Sequence, residues 1–171
     1  MSTTVQDIAI ELDQLTRFAS TQIKLEITGG TRTWRLMPSI RHQKLIDRIR
    51  ASIEPIAESG CGCFHLTDPS LAFPDGSFKR PDIAIFCVEP PDIDESWEQV
   101  PEAVIEIVSL GYEEKDLSIN PPWYLSMGVK DVLVVDPRAG QVRHHSHGAP
   151  MTIHRQPATF ELLCGCRCTV S

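Results

Sequence analysis

No stretch of this chain joins the roughly 18 uncharged apolar residues that a bilayer crossing needs, so no membrane span is expected. The first ten residues carry no basic segment ahead of an apolar core. That pattern lacks a secretory signal and places the expected location in the cytoplasm. There is no Gly-rich phosphate loop, no dinucleotide fingerprint and no nucleophile elbow. Internal repeats, low-complexity tracts and linkers are also missing, so one domain over residues 1–171 is expected. What is there is an ordinary globular mix, with 42% hydrophobic and 23% charged residues in 171. Such a chain can bury roughly 70% of its unfolded surface. It is therefore not a disordered polymer, a collagen-like fibre or a disulfide mini-protein.

The net charge of −7 argues against indiscriminate nucleic-acid binding. The charge is unevenly spread. Arg32, Arg35, Arg41, Lys44, Arg48 and Arg50 face only Asp47 in their stretch, which could meet phosphate. Ten acids and one base, Lys115, lie between Glu89 and Asp116, a pattern of a solvated face or a metal-binding one. Six cysteines fall at 61, 63, 87, 164, 166 and 168. Disulfides are not expected in a cytosolic chain of this size. One-residue spacers are also shorter than structural zinc sites use. Because residues two apart share a face of a strand, the thiols read first as a buried row of small side chains, with metal ligation as the alternative.

Val5, Ile8, Ala9, Leu12, Leu15, Phe18 and Ala19 recur at helical spacing and predict an N-terminal helix over residues 1–20. Ile23, Leu25 and Ile27 alternate as a strand, Gly29-Gly30 turns the chain, and Thr31 to Met37 returns. Ser39 is placed to cap a helix whose face carries Leu45, Ile46, Ile49, Ile53, Ile56 and Ala57 and which ends near Gly60. Ile83 to Val88, Ala103 to Val108 and Val132 to Val135 are continuous apolar runs, as strands covered on both faces require. Glu113 to Met127 reads as the crossover helix between the last two, shortened or offset by Pro121-Pro122. Short strands follow to Val170. The order predicts an α/β fold with a mixed central sheet flanked by helices.

One residue misfits. Glu106 sits inside Ala103-Val104-Ile105-Glu106-Ile107-Val108, where an ionised carboxylate is costly unless paired, hydrogen-bonded or metal-bound. Upstream, Arg80-Pro81-Asp82-Ile83 sets a second carboxylate at the mouth of another apolar run. On neighbouring strands the two would converge. Together they suit a hard divalent cation such as Mg²⁺ or Mn²⁺. The alternative is a single ion pair, for example Glu106 with Arg80.

The ordered set Arg80-Pro81-Asp82-Ile83, Pro101 to Ser109, Tyr124 with Gly128-Val129, and Val132 to Pro137 resembles the Uma-two family of bacterial endonucleases. Glu26 before Gly29-Gly30 and His42 near the second helix start resemble that family's N-terminal half. The likeness covers about residues 20–145. It implies a restriction-endonuclease-like fold of the PD-(D/E)XK superfamily, with Asp82 and Glu106 holding Mg²⁺ or Mn²⁺ beside a lysine that orients the attacking water. The superfamily's usual lysine position is Val108 here, and the Uma-two position is Asn120. Lys115 is the nearest replacement.

The leading expectation is a metal-dependent DNA endonuclease, a homodimer, with Asp82, Glu106 and Lys115 catalytic and Arg41, His42, Lys44 and Arg48 along phosphate. A catalytically degenerate binding or assembly module, with Asn120 as its mark, is the runner-up. A thiol-based metal-binding protein is the third reading. His42 is otherwise an exposed residue, His144, His145 and His147 an exposed loop or edge strand, and Asp136-Pro137 a strand-ending turn.

Overall fold

The runs rich in branched aliphatics form the centre of a six-stranded sheet. A computed structural model describes residues 23–36, 38–109, 111 and 113–171. The predicted helix over residues 1–20, like Met37, lies outside them. A hairpin of β1 (Ile23–Thr28) and β2 (Thr31–Leu36) leads to helix α1 (Ile40–Arg50). Next come β3 (Glu54–Pro55), β4 (Phe64–Thr67), β5 (Leu71–Ala72), β6 (Phe78–Lys79), β7 (Ile83–Phe86) and β8 (Ala103–Ile107). A π-helical segment, Lys115–Ile119, runs into α2 (Asn120–Ser126). The chain closes with β9 (Asp131–Asp136), β10 (Gln141–Ser146), β11 (Thr152–Arg155), β12 (Ala158–Glu161) and β13 (Cys166–Val170).

The large sheet has the order β11-β10-β9-β8-β7-β4. It is mixed, since β8 and β9 run parallel while the other neighbours are antiparallel. Parallel neighbours need a crossover, and the π segment with α2 supplies it. Ile83, Ile85, Ile105 and Leu133 face one core, shared with Leu45 and Ile49 of α1. Ala84, Phe86, Val104 and Val132 face the other, shared with Tyr124 of α2. Two smaller sheets flank this one, β2-β1-β6-β5 and β12-β13-β3. Among the described residues no helix is long and apolar enough to cross a membrane.

Several expectations are corrected. Ser39 caps α1 through its hydroxyl, but the helix stops at Arg50 instead of continuing towards Gly60. Glu54 and Pro55 pair instead with Arg167 and Cys166, because proline has no N–H for a helical turn and biases the residue before it to extended backbone. The crossover is not one α-helix. Pro121 and Pro122 lack N–H groups, so α2 starts with them at its first turn, and the Asn120 N–H reaches back to Lys115 O in a wide turn. His144 is on an interior strand, not a loop or edge, with Nε2 2.7 Å from Asp131 Oδ1. The strand-ending turn at Asp136 forms as expected, its Oδ1 accepting from Arg138 N and Ala139 N at 3.0 Å each.

The cysteines depart furthest. Cys166 and Cys168 do share the buried face of β13. Cys61 and Cys63 sit in irregular chain, and the sulfurs pair as Cys61–Cys87 and Cys63–Cys166, leaving Cys164 and Cys168 as thiols.

Candidate active site

The register of β7 on β8 brings the two acidic side chains together. Ile83 opposes Ile105, so one residue further Asp82 stands opposite Glu106. Their strand neighbours Ala84 and Val104 belong to the core under α2, so both carboxylates point to that side of the sheet. Each reaches across to the other's strand. Asp82 Oδ2 accepts from Ile107 N at 2.8 Å, and Glu106 Oε2 lies 3.4 Å from Asp82 N. Tyr124 of α2 donates its hydroxyl to Glu106 Oε1 at 2.9 Å. Glu106 is fully buried and Asp82 5% exposed. The single pair of Glu106 with Arg80 does not form, for Arg80 binds Asp68.

Strand β1 contributes the next layer, and it does so with its polar face inward. Lys24 and Glu26 are buried whereas Leu25 is half-buried. Lys24 Nζ bridges Asp68 Oδ1 at 2.7 Å and Asp82 Oδ1 at 3.7 Å. Ile27 pairs with Phe78, which places Glu26 opposite Lys79, Nζ to Oε2 3.7 Å. Lys115 binds the same Glu26 oxygen. Buried charges of this density are tolerated only when paired, and here lysines alternate with carboxylates.

His42 corrects the expectation of an exposed side chain. It shares α1's inner face with Leu45, Ile46 and Ile49, and its Nε2 stands 3.2 Å from Asp82 Oδ1. Arg41, Lys44 and Arg48, at i, i+3 and i+7, occupy the exposed side. They line a groove with Ile40, Pro137 and Ser171, away from His42.

Asn120, at the position of the missing lysine, is fully buried. Its Oδ1 accepts from Lys79 Nζ at 2.9 Å. Lys79 itself is fully buried, 5.0 Å from the Trp123 ring centroid and 5.8 Å from that of Tyr124. An ammonium therefore stands beside residue 120 although residue 120 carries no charge. Sequence reasoning missed Lys79, Lys24 and the Tyr124 hydroxyl as members of this cluster. The expected catalytic residues Asp82, Glu106 and Lys115, the expected phosphate contact His42, and Glu26 of the family resemblance all lie around one end of the sheet. Beside them opens a cleft of about 740 Å³ lined by Thr28, Thr31, Thr33, Glu113, Lys115 and Asn120.

The donor set fits a hard divalent cation. Mg²⁺ is commonly held by one or two carboxylates, with substrate phosphates and waters completing the shell, and Asp82 and Glu106 supply two. Among the described residues the buried His42 Nε2, 3.2 Å from Asp82 Oδ1, has no hydrogen-bond partner. The described protein atoms thus leave the polar shell there incomplete.

A mixed sheet that carries paired carboxylates at a strand end, with α2 across them, is a restriction-endonuclease-like architecture. The chain belongs to the Uma2 family, described as "Putative restriction endonuclease", whose pattern it matches over residues 11–170. The fold is similar to that of a "putative nuclease belonging to DUF820" from Anabaena variabilis ATCC 29413, with a TM-score of 0.60, 17% identity, and coverage of 85% of this chain and 84% of that one. No curated protein matches the chain.

Proposed function

We propose that this protein is a Mg²⁺- or Mn²⁺-dependent endonuclease that hydrolyses phosphodiester bonds of DNA in the cytoplasm, as a homodimer with one site per strand of the duplex. The observation that carries this reading is the buried meeting of Asp82 and Glu106 across β7 and β8. Asp82 and Glu106 are the residues to hold the metal, which when bound polarises a phosphodiester and helps generate hydroxide from water. Ile107 N and Tyr124 OH fix the carboxylates in place before any substrate arrives, as a preorganised site requires. The Lys24 ammonium and the His42 imidazole flank Asp82. Lys79 and Lys115 both contact Glu26, and in this reading they supply the positive charge that Asn120 lacks, Lys79 from beside it and Lys115 at the cleft wall. The exposed row Arg41, Lys44 and Arg48 tracks backbone phosphate, which positions DNA without reading its sequence.

Asn120 favours one other reading, a nuclease fold that has lost hydrolysis and serves as a binding module. Plasmid nicking separates the two. The first predicts Mn²⁺-dependent nicking that EDTA stops, that Glu106→Gln abolishes and that Lys79→Met lowers at least tenfold. Metal binding and DNA binding with no nicking by the wild-type protein would leave only the second.

A further inference from the structure

Five of the six sulfurs gather near the end of β7 opposite Asp82, which precedes that strand while Cys87 follows it. Cys61 and Cys63 come from the loop between β3 and β4, Cys87 from the end of β7, and Cys164 and Cys166 from the β12–β13 hairpin. Cys61, Cys63 and Cys166 have sulfurs within 4.8 Å of one another, and so do Cys61, Cys87 and Cys164. Cys61 belongs to both triads. Beyond its disulfide with Cys87, its Sγ touches Cys166 Sγ at 3.5 Å. A disulfide at Cys61 uses one of four sulfurs within reach; a metal beside it would use two at once, from either triad. With Zn–S bonds of about 2.3 Å, sulfurs on one tetrahedral ion stand about 3.8 Å apart, inside the 4.8 Å that bounds each triad.

The one-residue spacers do not prevent this. Cys63 adopts φ 50° and Gly165 φ 85°, so neither Cys-Gly-Cys segment is plainly extended, and Cys164 and Cys166 each reach Cys61, in different triads. The segments are also tied together by backbone. Gly62 N donates to Cys87 O at 3.1 Å and Ile56 N to Gly165 O at 2.8 Å. A Cβ on Gly165 would stand 2.3 Å from Ser59 Cβ, so no larger residue fits the crossing.

We propose that, with its thiols reduced, this protein binds a soft divalent cation of the zinc type through Cys61 and the other two sulfurs of one triad, Cys63 with Cys166 or Cys87 with Cys164, with water in the fourth position. The ion clamps the small β12-β13-β3 sheet to the large one and is separate from the carboxylate site. The disulfides and the metal are alternative states of the same sulfurs. Opening each disulfide takes two electrons and two protons, which a phosphine and one water supply, the phosphine leaving as its oxide. Each thiol then releases its proton to solvent as it binds the metal.

The test uses the full chain reduced with a phosphine and titrated with Co²⁺, then Zn²⁺. One equivalent of Co²⁺ giving a sulfur-to-cobalt charge-transfer band is expected, displaced by Zn²⁺, with Zn²⁺ raising Tm by at least about 5 °C at saturating excess. The band should survive in Cys168→Ala and in Glu106→Gln, and vanish in Cys61→Ser and in oxidised protein. Absence of the band in reduced wild type overturns the proposal, whatever the variants do. Persistence of the band in Cys61→Ser or in protein with both disulfides closed overturns it as well.

Discussion

Replacing Glu106 by glutamine separates a structural carboxylate from one kept for a cation. Glutamine keeps the size of the side chain and an acceptor for the Tyr124 hydroxyl. It removes one of two charges that the β7–β8 register sets opposite each other. Side chains directly opposite in an antiparallel pair stand about 5 Å apart, and at an effective dielectric near 20 two carboxylates at that spacing repel by about 3 kcal/mol. The Lys24 ammonium at 3.7 Å from Asp82 and the lost contact to Asp82 N offset part of this. The net gain is about 1–2 kcal/mol. For a chain of this size that is a Tm about 2–8 °C higher in EDTA. Metal reverses the order. At a concentration 100 times Kd the wild type gains about 2.7 kcal/mol, or about 5–10 °C, and the variant gains almost nothing. Thermal unfolding in EDTA and in graded Mg²⁺ or Mn²⁺ reads both numbers. A glutamine variant that is less stable in EDTA and still responds to metal would refute the reasoning.

Three other outcomes follow from the same geometry. Tyr124→Phe takes one donor from the buried Glu106 and should cost about 1–3 kcal/mol in denaturant unfolding; an unchanged midpoint would contradict it. Gly165→Ala forces a side chain into φ 85° and against Ser59, for about 2–4 kcal/mol lost by thermal unfolding, and full stability would contradict it. Burial pushes the Asp131 carboxyl up, but hydrogen bonds from His144, Ser146 and Leu163 N outweigh it and hold the group below its usual range. A depressed carboxyl contributes stability above the unfolded pKa of about 3.9, lost as pH falls through the folded value. Asp131→Asn should therefore be less stable at neutral pH and lose less than wild type on acidification below about pH 4, measured by denaturant midpoints across that window.

The central strands, the hairpin, the helix cap and the misfit Glu106 were legible because hydrophobic period and turn chemistry act locally. The site's second layer was not, for reasons visible residue by residue. In β1 the alternation of Ile23, Leu25 and Ile27 marks the apolar face as the buried one, yet Lys24 and Glu26 point inward. Their burial comes from charges on other segments, which no local pattern encodes. His42 was within reach, since 42, 45, 46 and 49 are a single helical face, but a polar side chain does not enter a count of apolar residues. Lys79 is opposite Glu26 only through the pairing of β6, a strand of two residues. Lys115, chosen from its nearness to position 120, does join the cluster, through Glu26. The cysteine gathering needed two left-handed residues, Cys63 and Gly165, to bend segments that spacing alone reads as extended.

Whether Asp82 and Glu106 share a cation is read most directly by anomalous diffraction from crystals soaked in Mn²⁺. A manganese peak bonded to both carboxylates at the mouth of β7 and β8 is expected. Manganese bound elsewhere on the molecule, with none between Asp82 and Glu106, would contradict a shared cation.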